Sequence, residues 1–235
     1  MGKILVAGVA LVAGLVVGVR DARAQTAAGQ VSVWLQKDVS GFGAEAGIDV
    51  SDPGTDFVLY GGYSHRGFLE FDLAFHYLVF DDNEQLTDLT AVAIAPGIHF
   101  HPLKQNAEMP ISLAIDAEVA AIAASSPGLE DAGITVTGVQ GSIGASLYRF
   151  FRLGPSIGVT PSAGFRLTRN MLTFRDEFDE VITEATDDSV LLVLRGNFGF
   201  LDSRGTIYGV TPSLSLGDTT SFGVMFGMIW SLQRH

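Results

Sequence analysis

From Leu69 onward, alternate residues are large and apolar (Leu69, Phe71, Leu73, Phe75, Tyr77, Val79), and those between are polar or small (Glu70, Asp72, Ala74, His76). Period two is the mark of a β-strand with unlike faces. A soluble sheet with one wet face gives the same alternation, so a single strand decides nothing. Here the pattern recurs over 41–50, 56–64, 67–79, 89–101, 110–124, 134–149, 155–174, 189–201, 205–216 and 220–233. Turn chemistry punctuates it at Ser51-Asp52-Pro53-Gly54, Ser126-Pro127-Gly128, Asp202-Ser203-Arg204-Gly205 and Gly217-Asp218-Thr219.

The apolar sets are consistent along the chain. Val92, Ile94, Ile98 and Phe100 oppose Ala91, Ala93, Ala95, Gly97 and His99, and Ile157, Val159, Phe165 and Leu167 oppose Ser156, Gly158, Thr160, Ser162, Gly164 and Arg166. Within 134–149 the phase breaks: Ile134 and Val136 are out of step with Val139, Ile143 and Leu147, and Gly138 at the break predicts a bulge. Val31 to Gln36 reads as a further short strand that extends the first one, lies in the periplasm or enters the lumen.

Residues 1–24 read as an export signal. Lys3 supplies the positive start, Ile4 to Val19 is apolar, and Ala22-Arg23-Ala24 has the A-x-A form of a cleavage site. The expected organisation is this signal peptide, an N-terminal segment over 25–40 and a β-domain over 41–235. A cleavable signal followed by about ten half-apolar strands predicts an all-β fold. We expect a transmembrane antiparallel up-and-down barrel of about ten strands, with eight to twelve possible, in the outer membrane of a Gram-negative cell.

Connection lengths alternate in the way such barrels require. His65-Arg66, Phe150 to Leu153 and Asp202 to Arg204 are tight, whereas Phe80 to Asp88, Ser125 to Gly133 and Arg175 to Asp188 are read as longer outer loops. Charge sorts with them. The inferred outer side holds Asp81, Asp82, Glu84, Asp88, Glu130, Asp131, seven acids from Asp176 to Asp188, and Asp52, Asp56 and Asp218; the inner turns and C-terminus hold Arg66, Lys104, Arg149, Arg152, Arg204 and Arg234.

The chain has 14 basic and 26 acidic residues; without Lys3, Arg20, Arg23 and Asp21 of the signal, the net charge falls to −14. That balance argues against nucleic-acid binding. The absence of cysteine removes disulfides, thiolate metal sites and thiol nucleophiles. Aromatics near strand ends (Phe57, Tyr63, Phe80, Phe100, Tyr148, Phe174, Tyr208, Phe222, Trp230) are expected at the membrane interfaces.

The stretch Leu59-Tyr60-Gly61-Gly62-Tyr63-Ser64, followed by a strand rich in Phe and Tyr, resembles strands of small bacterial outer-membrane β-barrel proteins of the opacity-like or putative-porin type. It departs from that type at its end, where Gln233-Arg234-His235 replaces a terminal aromatic residue. The resemblance implies a cell-envelope protein surrounded by membrane lipid and lipopolysaccharide and inserted by outer-membrane assembly machinery.

Candidate chemistry lies on the inward parity: Glu70, Asp72, His76, His99, His101, Asp116 and Glu118, with Arg166 and Arg195 as natural partners. His99-x-His101 is compatible with metal binding, and a barrel-wall hydrolase would use His with Asp, Glu or Ser. Small barrels fill their lumens with side chains that must pair and hydrogen-bond, so a packed polar cluster is the expectation. No catalytic residue, metal or cofactor is predicted. The acidic stretch 175–188 lacks the spacing of a calcium loop and reads as solvated. The function read from the sequence is a non-enzymatic surface or structural barrel, or a narrow porin-like passage for small solutes. The alternatives are a barrel-wall enzyme and a secreted soluble barrel binding an apolar ligand.

Overall fold

The computed structural model of the chain describes residues 31–35, 38–52, 54–80 and 88–232. The expected signal peptide, Asp81, Asp82, Glu84 and Gln233-Arg234-His235 lie outside the described residues.

Ten long strands form one antiparallel ring: β1 (Gly41–Ser51), β2 (Gly54–His65), β3 (Leu69–Phe80), β4 (Thr90–Leu103), β5 (Ser112–Ser125), β6 (Thr135–Tyr148), β8 (Ile157–Arg175), β9 (Val181–Leu201), β10 (Thr206–Leu216) and β11 (Thr220–Ser231). Each pairs with its neighbour in sequence, β1 pairs with β11, and β6 with β8, so the sheet has no open edge. The remaining strand, β7 (Phe151–Arg152), is a two-residue addition to β8. The extra strand-like unit is therefore β7, and Val31 to Trp34 is instead a helical turn, α1. Its buried Val31, Trp34 and Leu35 share one helical face by their i, i+3, i+4 spacing.

Two other expectations are corrected. β6 pairs without interruption from Thr135 to Tyr148, so Gly138 makes no bulge. Val136 keeps the inward parity of its strand and packs inside the barrel. The acidic stretch 175–188 is mostly strand, because β8 and β9 are 19 and 21 residues long and stay paired to Arg175 and Val181. Only the turn after Arg175 remains, closed by the Asp176 carboxylate accepting from the backbone N–H groups of Phe178 and Glu180, both at 2.9 Å. On β8 the outward apolar run from Ile157 reaches Leu167 and then meets the exposed Arg169–Asp188 pair. A tilted strand needs about 9–11 residues to cross a membrane. The rest of the hairpin stands beyond it.

The connection between β5 and β6 carries α2 (Pro127–Asp131), started by the Ser126 Oγ accepting from Leu129 N at 3.2 Å. It drops Leu129 into the outer end of the bore, beside Leu78, Phe80, Leu89, Val136, Leu172 and Phe174. Phe80, Tyr148 and Phe174 are thus interior, not interfacial. Their parity explains it: each shares the inward face with Glu70, Gly144 or Arg166 of its own strand. At the inner end, α1 lies in the bore in a cluster with Val58, Tyr60, Ala74, Ala95, Met225 and Ile229.

Candidate functional site: the charged bore

Register brings the sequence-predicted residues together. Following paired residues across the sheet gives one continuous row: Ser64, Glu70, His99, Asp116, Gly144, Arg166 and Leu191. The adjacent inward row is Gly62, Asp72, Gly97, Glu118, Ser142, Thr168 and Ser189. Side chains spread over four strands and nearly a hundred residues of sequence therefore share two neighbouring levels of the bore.

Within those levels charges pair. Arg166 donates to Asp116 Oδ2 at 2.7 Å, and His99 Nε2 lies 2.8 Å from Asp72 Oδ2. Glycines opposite the acids leave them room: a Cβ on Gly97 would sit 2.6 Å from Asp72 Oδ1, and one on Gly144 2.8 Å from Asp116 Oδ1. Higher in the bore, His76 Nδ1 lies 2.8 Å from Asp56 Oδ2. Toward the inner end, His101 Nδ1 lies 2.9 Å from the Tyr148 hydroxyl. His99 and His101 share a strand face yet engage different partners. Among the described residues, no group of three His, Asp or Glu is arranged to hold a metal ion.

Glu70 has a different task. Its Oε1 accepts a short hydrogen bond from the Tyr60 hydroxyl and another, at 2.9 Å, from the backbone N–H of Val31 in α1. Lys104, on the inner rim after β4, donates to the Leu35 carbonyl at 3.3 Å. Burial holds the Lys104 ammonium down to about 8, against the pull of Glu70.

The sequence reading passes over Glu45, Asp49 and Tyr60 and counts Asp56 with the outer acids, although all four have the inward parity of β1 and β2 and are buried. Counting them, Glu45, Asp49, Asp56, Glu70, Asp72, Asp116 and Glu118 are buried carboxylates, facing Arg166 and Arg195. The bore is acidic.

The outside is the reverse. Phe71, Ile94, Phe165 and Phe226 are 51%, 53%, 54% and 60% exposed, while Asp72 and Asp116 are 9% and 6% exposed. Such a surface is stable only against hydrocarbon. The protein is an integral β-barrel of the outer membrane. A soluble carrier with an apolar interior is the opposite arrangement, and that alternative is withdrawn.

No family model and no curated protein matches the barrel's sequence. Among solved structures it is similar to Ail, the attachment invasion locus protein of Yersinia pestis, at 9% identity over 84% of this chain and 100% of that one, with a TM-score of 0.35. It is also similar to the β domain of the Bordetella autotransporter BrkA (12% identity, 83% and 100% covered, TM-score 0.47). A third is the translocator domain of the autotransporter NalP from Neisseria meningitidis (9%, 82% and 87%, 0.48). The barrel assignment rests on strand pairing and on the two faces described above.

Proposed function

We propose that the barrel is a non-enzymatic structural or surface element of the outer membrane whose bore is closed at rest. The observation that carries this reading is the pair of charged rows packed between α1 at the inner end and the Phe174–Leu129 cluster at the outer end. Buried charges tolerate such a setting when paired, and here the pairs join β3 to β4 and β5 to β8 along the wall. Membrane lipid and lipopolysaccharide surround the belt, and outer-membrane assembly machinery inserts it.

Hydrolysis by the barrel wall is disfavoured by geometry. A side-chain hydroxyl nucleophile activated by an imidazole would stand within hydrogen-bond reach of the ring's second nitrogen. The Nε2 atoms of His76 and His101 are buried and meet no hydrogen-bond partner among the described residues. His99 directs Nε2 at Asp72.

Planar-bilayer recording tests the reading. The full-length wild-type barrel is expected to give no steady ionic current. A large, persistent conductance from pure, correctly folded protein would overturn the closed-bore account.

A further inference from the structure

We propose that residues 31–35 form a detachable stopper, and that its withdrawal opens a cation-selective path through the barrel. This deepens the reading of a bore closed at rest and rests on it.

The stopper occupies a socket formed by residues without side chains. A Cβ on Gly43 would lie 2.5 Å from Val31 Cγ2, and one on Gly199 would lie 2.4 Å from the Trp34 ring, whose atoms are its nearest neighbours. Leu35 fills the space over Gly41 in the same way. No strand pairing joins α1 to the wall. Its polar attachments include the Val31 N–H to Glu70 and the Leu35 carbonyl to Lys104. Beside Trp34 and Leu35, a cavity of about 600 Å³ lined also by Phe150, Arg152 and Ile207 opens at the inner mouth and gives the indole room to leave.

Beyond the stopper the bore is lined unevenly. The outer apolar cluster takes its wall side chains from β3, β4, β6 and β8. The opposite wall presents Ser213 and Ser215 of β10, Ser221 and Gly223 of β11, Asp49, Gly47 and Glu45 of β1, and Asp56 of β2. That track of small side chains and carboxylates runs down from the outer rim, with Arg195 across from Ser213 and the Met225 sulfur over Gly47, until it meets Gly43, where Val31 sits. Asp49 Oδ2 and Ser213 Oγ both reach the space above Gly223, at 2.6 and 2.7 Å from where its Cβ would be, and both atoms are buried with no hydrogen-bond partner among the described residues. A low-dielectric bore lined by acids concentrates cations and repels anions.

The test uses the full chain in planar bilayers with potassium chloride. Gly199→Val puts a side chain where Trp34 rests. It is expected to show openings that the wild type lacks, with cations preferred over chloride by roughly tenfold or more. The chain has no cysteine, so Val31→Cys with Gly43→Cys gives a clean lock, the two positions being within disulfide span. Adding this pair to Gly199→Val should silence the openings when oxidised and restore them on reduction. Heat-shifted gel mobility confirms folding, and acrylamide quenching of Trp34 in a Trp230→Phe background reports release. Folded Gly199→Val with released Trp34 and no current would overturn the inference while leaving the closed-bore reading intact. A Trp34 that stays protected, or an anion-selective current, would overturn it equally. Steady current in the wild type would sink the closed-bore reading first.

Discussion

The two ends of the bore are filled by different means, the outer one only along its β3, β4, β6 and β8 side and the inner one by a separate segment. At the outer end the closing residues belong to the wall: Leu78, Phe80, Val136, Leu172 and Phe174 project from hydrogen-bonded strands, and Leu129 is brought in by a capped helical turn. At the inner end the closing residues belong to a separate segment that lies in the lumen and pairs with no strand. The first closure cannot move unless the wall distorts. The second can leave with every inter-strand hydrogen bond intact. Local stability in a protein differs in this way between elements held by many buried contacts and elements held by few.

This contrast can be broken by substitution. The largest effect is expected between the two ends, at the ion pair. Arg166→Met takes from the buried Asp116 carboxylate its hydrogen-bonded ion-pair partner, leaving only the neighbouring charges of His99 and Arg195, and should cost about 3–5 kcal/mol. Adding Asp116→Asn should recover a good part of that loss, read as the urea midpoint of the heat-modifiable form. Next comes the outer closure: Phe174→Ala should cost about 3–5 kcal/mol while the bilayer remains silent and Trp34 stays protected from acrylamide. Trp34→Ala at the inner closure should do the opposite. Its cost to the strands should be less than about 1 kcal/mol, yet current should appear. If Trp34→Ala destabilised the barrel as much as Phe174→Ala does, the two closures would be equivalent and the contrast would fail.

The smallest effect concerns pH. With the stopper in place Lys104 titrates near 8, held down by burial and facing Glu70, His101 and the Tyr148 ring; released and hydrated, it returns toward its ordinary 10.5. The released form therefore holds more protons in that interval. Docking should tighten as pH rises from about 8 toward 10.5 and should be insensitive to this group below 8. Lys104→Met should abolish the trend in Trp34 quenching.

Much of the barrel was legible because period two is imposed by the membrane itself. Parity placed Glu70, Asp72, His76, His99, His101, Asp116, Glu118, Arg166 and Arg195 inside, where the structure has them. Where parity was set aside, the reading failed. Phe80, Tyr148 and Phe174 were assigned to the interfaces by type, although their positions point inward. Val136 likewise obeys its strand's parity and fills the outer cluster. The acidic content of 175–188 hid strand-forming Val181 and Thr183, which continue the pairing of β8 with β9 across a bulge at Ile182. Val-Ser-Val-Trp reads as a strand by propensity, and tertiary contact overrides it; the i, i+3, i+4 spacing of Val31, Trp34 and Leu35 was the available signal. The pairing of particular charges could not be read at all. It depends on register between strands distant in sequence, such as Asp116 with Arg166.

The two tryptophans lie on opposite faces of the wall, Trp34 within the bore at 9% exposure and Trp230 on the lipid side at 41%, so they test the account together. In vesicles containing bromine-labelled lipid, the Trp34→Phe variant, which retains Trp230, should be strongly quenched. The Trp230→Phe variant, which retains Trp34, should be protected from both lipid-borne bromine and aqueous acrylamide. Quenching of Trp34 by the labelled lipid, or protection of Trp230 from it, would contradict an acid-lined, stoppered bore inside a hydrocarbon-facing wall.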